Sequence, residues 1–107
     1  MAATQHTFDA YVLEALMRDL VGHDHRPSAF LVYLTVTAAS QEGAARLSHA
    51  QLAERTGLSK RGVQDAVAHL VGRDLLRVTR RGATDVPTYE PLTPWRRGRT
   101  SDPEART

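Results

Sequence analysis

The sequence predicts a mainly helical α+β domain in which a bundle of four helices is followed by a two-stranded β-hairpin. Apolar residues recur at helical spacing in four segments, serine and glycine stand where helices would begin and end, and the last apolar segments alternate as strands do. A chain of 107 residues buries enough surface for one core but not for two. We therefore expect one folded domain.

The first half of the chain predicts two longer helices. Phe8 to Val21 has the periodicity of an amphipathic helix, and Gly22 is placed to end it. A second helix is expected from Ser28 to about Gln41, with Pro27 in its first turn. Its alternating apolar residues also fit a strand, but its length and its apolarity on all sides favour a buried helix. Gln41 to Leu47 predicts a loop.

Two shorter helices joined by a tight turn are expected next. Ser48 and Gln51 have the spacing of a capping box, so a helix begins at Ser48. Gly57 ends this helix, because glycine is favoured where the chain leaves a helix in a left-handed conformation. Ser59 then caps a second helix, in which apolar residues recur up to Leu70. The residues between these apolar positions face outward: Arg61, Gln64, Asp65, Ala68 and His69.

The remaining sequence predicts a hairpin and a tail. Strands are expected at residues 75–80 and 86–90, around a basic tip at 81–85. Prolines in the returning strand favour an edge position in the sheet. The tail from Thr93 onward has no apolar periodicity and is expected to be mobile, with Trp95 packing back on the domain.

Basic residues are concentrated in the second half of the chain. Residues 1–45 carry two arginines and five acids, a net charge of −3, whereas residues 46–99 carry eleven basic residues and five acids, a net charge of +6. This distribution favours an anionic polymer as partner, with the acidic part facing away or toward another subunit. Thirteen of the fourteen basic residues are arginine, which suits phosphate and guanine recognition but also follows from a high-GC genome.

Residues 52–59, with the sequence LAERTGLS, together with Val63 and Leu70, resemble the helix-turn-helix of bacterial winged-helix DNA-binding proteins. The resemblance covers about Ser28 to Leu92 and implies a winged helix, in which the hairpin is the wing. The implied organisation is an N-terminal helix at 1–22, a winged helix-turn-helix domain at 23–92 and a flexible tail at 93–107. The chain departs from the family pattern at two positions: many relatives have threonine or serine where this chain has Gly62, and glycine where it has Asp74.

The resemblance implies that the helix from Ser59 to about Val71 enters the major groove of double-stranded DNA. Arg61 would contact guanine, Gln64 adenine and Asp65 cytosine, unless Asp65 only holds Arg61. A solvated charged helix face is the alternative to this interpretation. The complete set of expected DNA-contacting residues is Ser48, Arg55, Ser59, Lys60, Arg61, Gln64, Asp65, His69, Arg77, Arg80 and Arg81.

Several other classes of protein are not expected. The chain has no cysteine, no motif of a catalytic site or cofactor site, no readable site for a small-molecule effector and no apolar run that would span a membrane. His23, Asp24 and His25 are potential metal ligands, but they are adjacent in the sequence and no further convergent ligand is evident. They therefore make a weak metal site, and no metal is expected. We expect a cytoplasmic protein that is not an enzyme.

The leading hypothesis is a small bacterial or phage-like transcriptional regulator. The alternatives are a plasmid or phage replication or partition protein, and a winged helix that binds proteins rather than DNA. A homodimer is expected, because winged helices commonly bind two half-sites. The helix Phe8 to Val21 is the expected dimer element, so that Leu16→Glu would give a monomer.

Overall fold

The computed structural model describes residues 5–96 of the chain. An N-terminal helix spans residues 10–23 and is π-helical over Val12–Leu16 and Arg18–His23. It is followed by α1 (Pro27–Ser40), β1 (Ala45–Arg46), α2 (His49–Thr56), α3 (Lys60–Gly72), β2 (Leu76–Thr79), β3 (Thr88–Pro91) and a helical turn at 94–96. The predicted α+β class is confirmed. Within residues 5–96, no helix is both long enough and apolar enough to cross a membrane.

α1 lies at the centre of the structure. It packs against the N-terminal helix, α2, α3, β1 and β3. Ala29, Val32 and Val36 are fully buried, and the nearly buried Tyr33 donates its hydroxyl hydrogen to the carbonyl of Leu92 at 3.0 Å. A helix that is covered on several sides must be apolar on several sides. This confirms the buried helix and accounts for the strand-like alternation in its sequence.

The N-terminal helix buries one stripe of its surface. Val12, Leu16 and Leu20 are at most 3% exposed and belong to the common core, as the sequence periodicity predicts. Its π-helical character is seen in the bond from the N–H of Asp24 to the carbonyl of Asp19, the fifth residue back, at 2.9 Å. The helix continues through the predicted stop at Gly22 and ends at His23.

The turn between α2 and α3 follows the sequence signals. Ser48 caps α2 with the full capping box, in which its hydroxyl oxygen accepts from the N–H of Gln51 at 3.1 Å. Gly57 ends α2 in the left-handed region, with φ +82°. Ser59 caps α3 by accepting from the N–H of Gly62 at 2.9 Å. These bonds satisfy N–H groups that a helix N-terminus leaves without partners, so both helices begin where the sequence predicts.

The sheet has three antiparallel strands in the order β1–β3–β2. β1 lies inside the segment 41–47 that was expected to be only a loop, and its two residues pair with Tyr89 and Thr88. A two-residue strand has no readable alternation, so only its pairing with β3 defines it. The expected hairpin is formed by β2 and β3, with Val78 opposite Tyr89.

The expectation that the returning strand lies at a sheet edge is wrong, because β3 is the central strand. Its prolines lie at the ends of the strand, where the missing N–H group of proline removes no hydrogen bond from the interior of the sheet. Pro87 precedes β3, and its carbonyl accepts from the N–H of Leu47 at 3.2 Å. Pro91 is the last residue of β3, opposite Leu76. Prolines at strand ends remove no interior bond of the ladder.

The segment after β3 packs against the N-terminal helix. The ring of Trp95 stacks on Tyr11 with 4.7 Å between ring centroids, and its Nε1 donates to Asp9 at 2.8 Å. The prediction that Trp95 packs back on the domain is confirmed. The expected mobile tail is therefore wrong for residues 93–96, and the rest of it, 97–107, lies outside the described residues.

The burial of Leu16 corrects the expected effect of Leu16→Glu. Leu16 is 3% exposed and packs in the core of its own domain, so a carboxylate there has no partner and no water. We expect the variant to lose several kcal/mol of folding free energy, on the order of 3 to 5 kcal/mol, rather than to form a folded monomer. Leu31→Glu is the matched control, because Leu31 is 41% exposed and lies on α1, outside the N-terminal helix. Equal melting temperatures of the two variants, measured by circular dichroism, would contradict this placement.

Candidate nucleic-acid interface

The outer side of α3 is polar and open to solvent. Arg61, Gln64 and Asp65 are exposed, and the opposite side is anchored by Val63 and Leu70, which are fully buried. The Nε of Arg61 lies 3.9 Å from an Asp65 carboxylate oxygen, which is a loose contact between two exposed side chains. Because neither side chain is held tightly, both can turn toward a ligand on this side of the helix.

The N-termini of α2 and α3 lie near the hairpin and form a cavity with it. The cavity has a volume of about 280 Å³ and is called the basic cleft below. Its lining residues are Ser48, His49, Ala50, Lys60, Arg80, Thr84, Asp85, Val86 and Pro87. Three of the expected DNA-contacting residues, Ser48, Lys60 and Arg80, thus lie around one opening, although they come from three separate elements.

The capping serines use their hydroxyl oxygens inside the protein. Ser48 and Ser59 each accept a backbone N–H of their own helix. Their hydroxyl hydrogens remain able to donate to a phosphate oxygen, since a hydroxyl both donates and accepts. The half-buried Ser48 lies in the basic cleft, and the exposed Ser59 stands one residue before Lys60.

Four of the expected basic residues are exposed and form no ion pair within residues 5–96: Arg55, Lys60, Arg80 and Arg81. Arg77 differs, because it donates to Glu90 on the neighbouring strand at 2.9 Å. Arg81 lies beside a second cavity of about 250 Å³ that also contacts Arg46 and Asp85. Arg46 donates to Asp85 at 2.7 Å, so one arginine on this side of the hairpin is neutralised.

His69 lies at the other end of α3 from the basic cleft and is held by an acidic residue. Its Nε2 is 2.8 Å from a carboxylate oxygen of Asp24, and Arg73 donates to both Asp24 and Asp19. These hydrogen bonds lower the pKa of Asp24 to about 2, with His69 and His23 as the main causes. The structure therefore separates His69 from the other expected contacts and gives it a partner that sequence analysis did not find.

The same acidic residues do not fit a metal ion. The expectation that no further group converges on His23 and Asp24 is wrong, because ligand atoms of Asp19, His23 and Asp24 lie within 4.8 Å of one another. However, the guanidinium of Arg73 bridges the two carboxylates, and both His23 and His69 bond to Asp24. A cation would have to displace the Arg73 guanidinium and the histidine rings that already bond to these carboxylate oxygens.

His49 is the residue of the basic cleft that sequence analysis left without a role. Partial burial lowers its pKa, and the positive charges of Arg80 and Lys60 lower it further. Its position directly after the capping Ser48 was readable in the sequence. Its proximity to Arg80 was not, because that depends on how the hairpin packs beside α2.

Comparison of this chain with protein-family models, curated proteins and solved structures finds no match to any of them.

The Asp24 interactions predict an acid-sensitive contribution to stability. A carboxyl whose folded pKa is lowered stabilises the fold above its unfolded pKa of 3.8, and this contribution disappears as the pH falls toward 2. Asp24→Asn should cost about 1 to 3 kcal/mol at neutral pH, since charge-assisted hydrogen bonds are lost. Urea unfolding at several pH values measures the difference. A difference between wild type and variant that stays constant from neutral pH to about pH 2 would contradict this role of Asp24.

Proposed function

We propose that this chain is a winged helix-turn-helix protein that binds double-stranded DNA sequence-specifically and acts as a small transcriptional regulator. The observation that carries the proposal is the basic cleft. There the capped start of α2, the capped start of α3 and the hairpin arginine Arg80 converge, beside the exposed polar side of α3. Lys60 and Arg80 form no ion pair within residues 5–96, so their charge is available to phosphates.

In the proposed complex, α3 lies in the major groove. The exposed Arg61 and Gln64 contact base edges, and Arg55, Lys60, Arg80 and Arg81 contact the backbone. The polar contacts to bases discriminate between sequences, at about 1 to 3 kcal/mol for each bidentate pair. His69 and Arg77 are left out of the proposed contacts, because each lies within hydrogen-bond distance of an acidic partner, at 2.8 Å and 2.9 Å. No cofactor and no catalytic step is part of this proposal.

We expect the affinity for a random-sequence duplex to fall steeply with salt, because binding releases counterions from the phosphates. The double variant Arg80→Ala, Arg81→Ala should bind more weakly and have a salt dependence shallower by about two contacts. Fluorescence anisotropy over a salt series measures both quantities. The matched control is Arg18→Ala, Arg26→Ala, which removes the same charge from two exposed residues outside the hairpin.

Equal effects of the two double variants would contradict a role of the hairpin and leave only a response to net charge. If the wild type fails to bind duplex DNA even at low salt, the proposal is wrong and a winged helix that binds proteins takes its place. A replication or partition role is separated from transcription by locating the binding sites in the genome.

We also propose that the protein binds DNA as a homodimer through its N-terminal helix. Leu13, Met17 and Val21 are each at least 38% exposed, and their spacing of four residues puts them on one stripe. A second copy placed on this stripe would bury it and would present two recognition helices to two half-sites.

The double variant Leu13→Glu, Met17→Glu should stay folded and sediment as a monomer, because it puts charge on the exposed stripe and leaves the buried one intact. Its affinity for a selected two-half-site operator should fall at least about tenfold. Analytical ultracentrifugation and anisotropy measure these effects. An unchanged sedimentation mass would contradict the proposed dimer.

A further inference from the structure

The basic cleft gathers three nitrogen-bearing side chains around one opening. His49 from α2, Lys60 from α3 and Arg80, the residue that follows β2, all line it. None of the three forms an ion pair within residues 5–96. The permanent positive charges of Lys60 and Arg80 repel each other where they line one opening, and an anion in the opening relieves that repulsion.

His49 is the titratable member of this group. Its half-buried ring loses hydration, and the charges of Arg80 and Lys60 act against a further positive charge. Both effects lower the pKa of His49 and therefore favour the neutral imidazole in the free protein. An imidazole in this state can still gain a proton when a negative charge arrives beside it.

Asp85 is the acidic residue that lines the same cavity, and it does not titrate in this range. Its carboxylate accepts from Arg46 at 2.7 Å, and this bond lowers its pKa. Asp85 therefore stays ionised from mildly acidic to alkaline pH. Any proton exchanged in the cleft near neutral pH is exchanged by His49.

We propose that His49, Lys60 and Arg80 form the site of one DNA backbone phosphate, and that His49 takes up one proton from solvent when this phosphate enters. The inference rests on the proposed DNA binding and adds a control of that binding by pH. The phosphate charge favours the imidazolium, which then donates a charge-assisted hydrogen bond to a phosphate oxygen.

The direction of the pH effect follows from linkage. Because the phosphate raises the pKa of His49 above that of the free protein, the complex binds one more proton between the two pKa values. In this interval the affinity falls as the pH rises, by up to about tenfold for each pH unit. Below and above the interval the contribution of His49 is constant.

The test compares four proteins by fluorescence anisotropy on a random-sequence duplex, at fixed ionic strength, from about pH 5.5 to pH 8.5. These are the wild type, His49→Gln, His49→Lys and the control His25→Asn. His25 is exposed and follows Asp24 at the opposite end of α3, and its φ of +57° is one that asparagine tolerates. NMR titration of the His49 ring, with and without duplex, follows the proton directly.

We expect the wild type and His25→Asn to lose affinity for DNA as the pH rises. His49→Gln should lack the increase in affinity at low pH. His49→Lys should bind tightly over the whole range, because its charge is permanent there. The NMR pKa of His49 should rise when the duplex is added. All proteins should have circular dichroism spectra of folded chains.

A pH dependence in His49→Gln equal to that of the wild type would overturn the inference while leaving DNA binding in place. A pKa of His49 that rises with inorganic phosphate but not with duplex would overturn the assignment to the DNA backbone. Absence of binding in all four proteins at the lowest pH and salt would instead remove the proposed function, and this inference with it.

Discussion

Burial of α1 is the constraint on which the other elements depend. The helix is covered by the N-terminal helix, α2, α3 and two strands, and Val32 and Val36 have no exposed surface. The hydroxyl of Tyr33 also ties α1 to the backbone at Leu92, and burial raises the pKa of this tyrosine to about 12. Because α2, α3 and β3 share this one helix as support, the hairpin and the two helix N-termini are held in a fixed relation around the basic cleft.

The same packing distributes charge unequally along α3. At its C-terminal end, Asp19 and Asp24 from the acidic half of the sequence neutralise Arg73 and hold His69. At its N-terminal end, Lys60 lies near Arg80 with no acidic partner in residues 5–96. The acidic half of the chain is thus partly an internal counterion at the C-terminal end of α3, whereas the charges of Lys60 and Arg80 near its N-terminal end have no ion-pair partner within residues 5–96.

Local signals in the sequence were sufficient to predict the helices and to predict which residues lie on the outer side of α3. Ser48, Gly57 and Ser59 act through residues within four positions, and such rules are readable without the fold. The central place of β3, the strand β1 and the bond between His69 and Asp24 depend on residues 40 or more positions apart. Sequence patterns do not show which distant residues pair. The role of His49 was missed for a related reason, because Arg80 comes near it only through the packing of the hairpin.

The central claim is that the basic cleft and the exposed side of α3 form one surface for DNA. Titration of the ¹⁵N-labelled protein with duplex DNA, followed by amide chemical shifts, tests it most directly. The account predicts the largest shifts at the starts of α2 and α3, along Arg61 to Asp65 and at Arg80 and Arg81, with small shifts around Asp24. Shifts that cluster on the N-terminal helix, or no shifts at all, would contradict it.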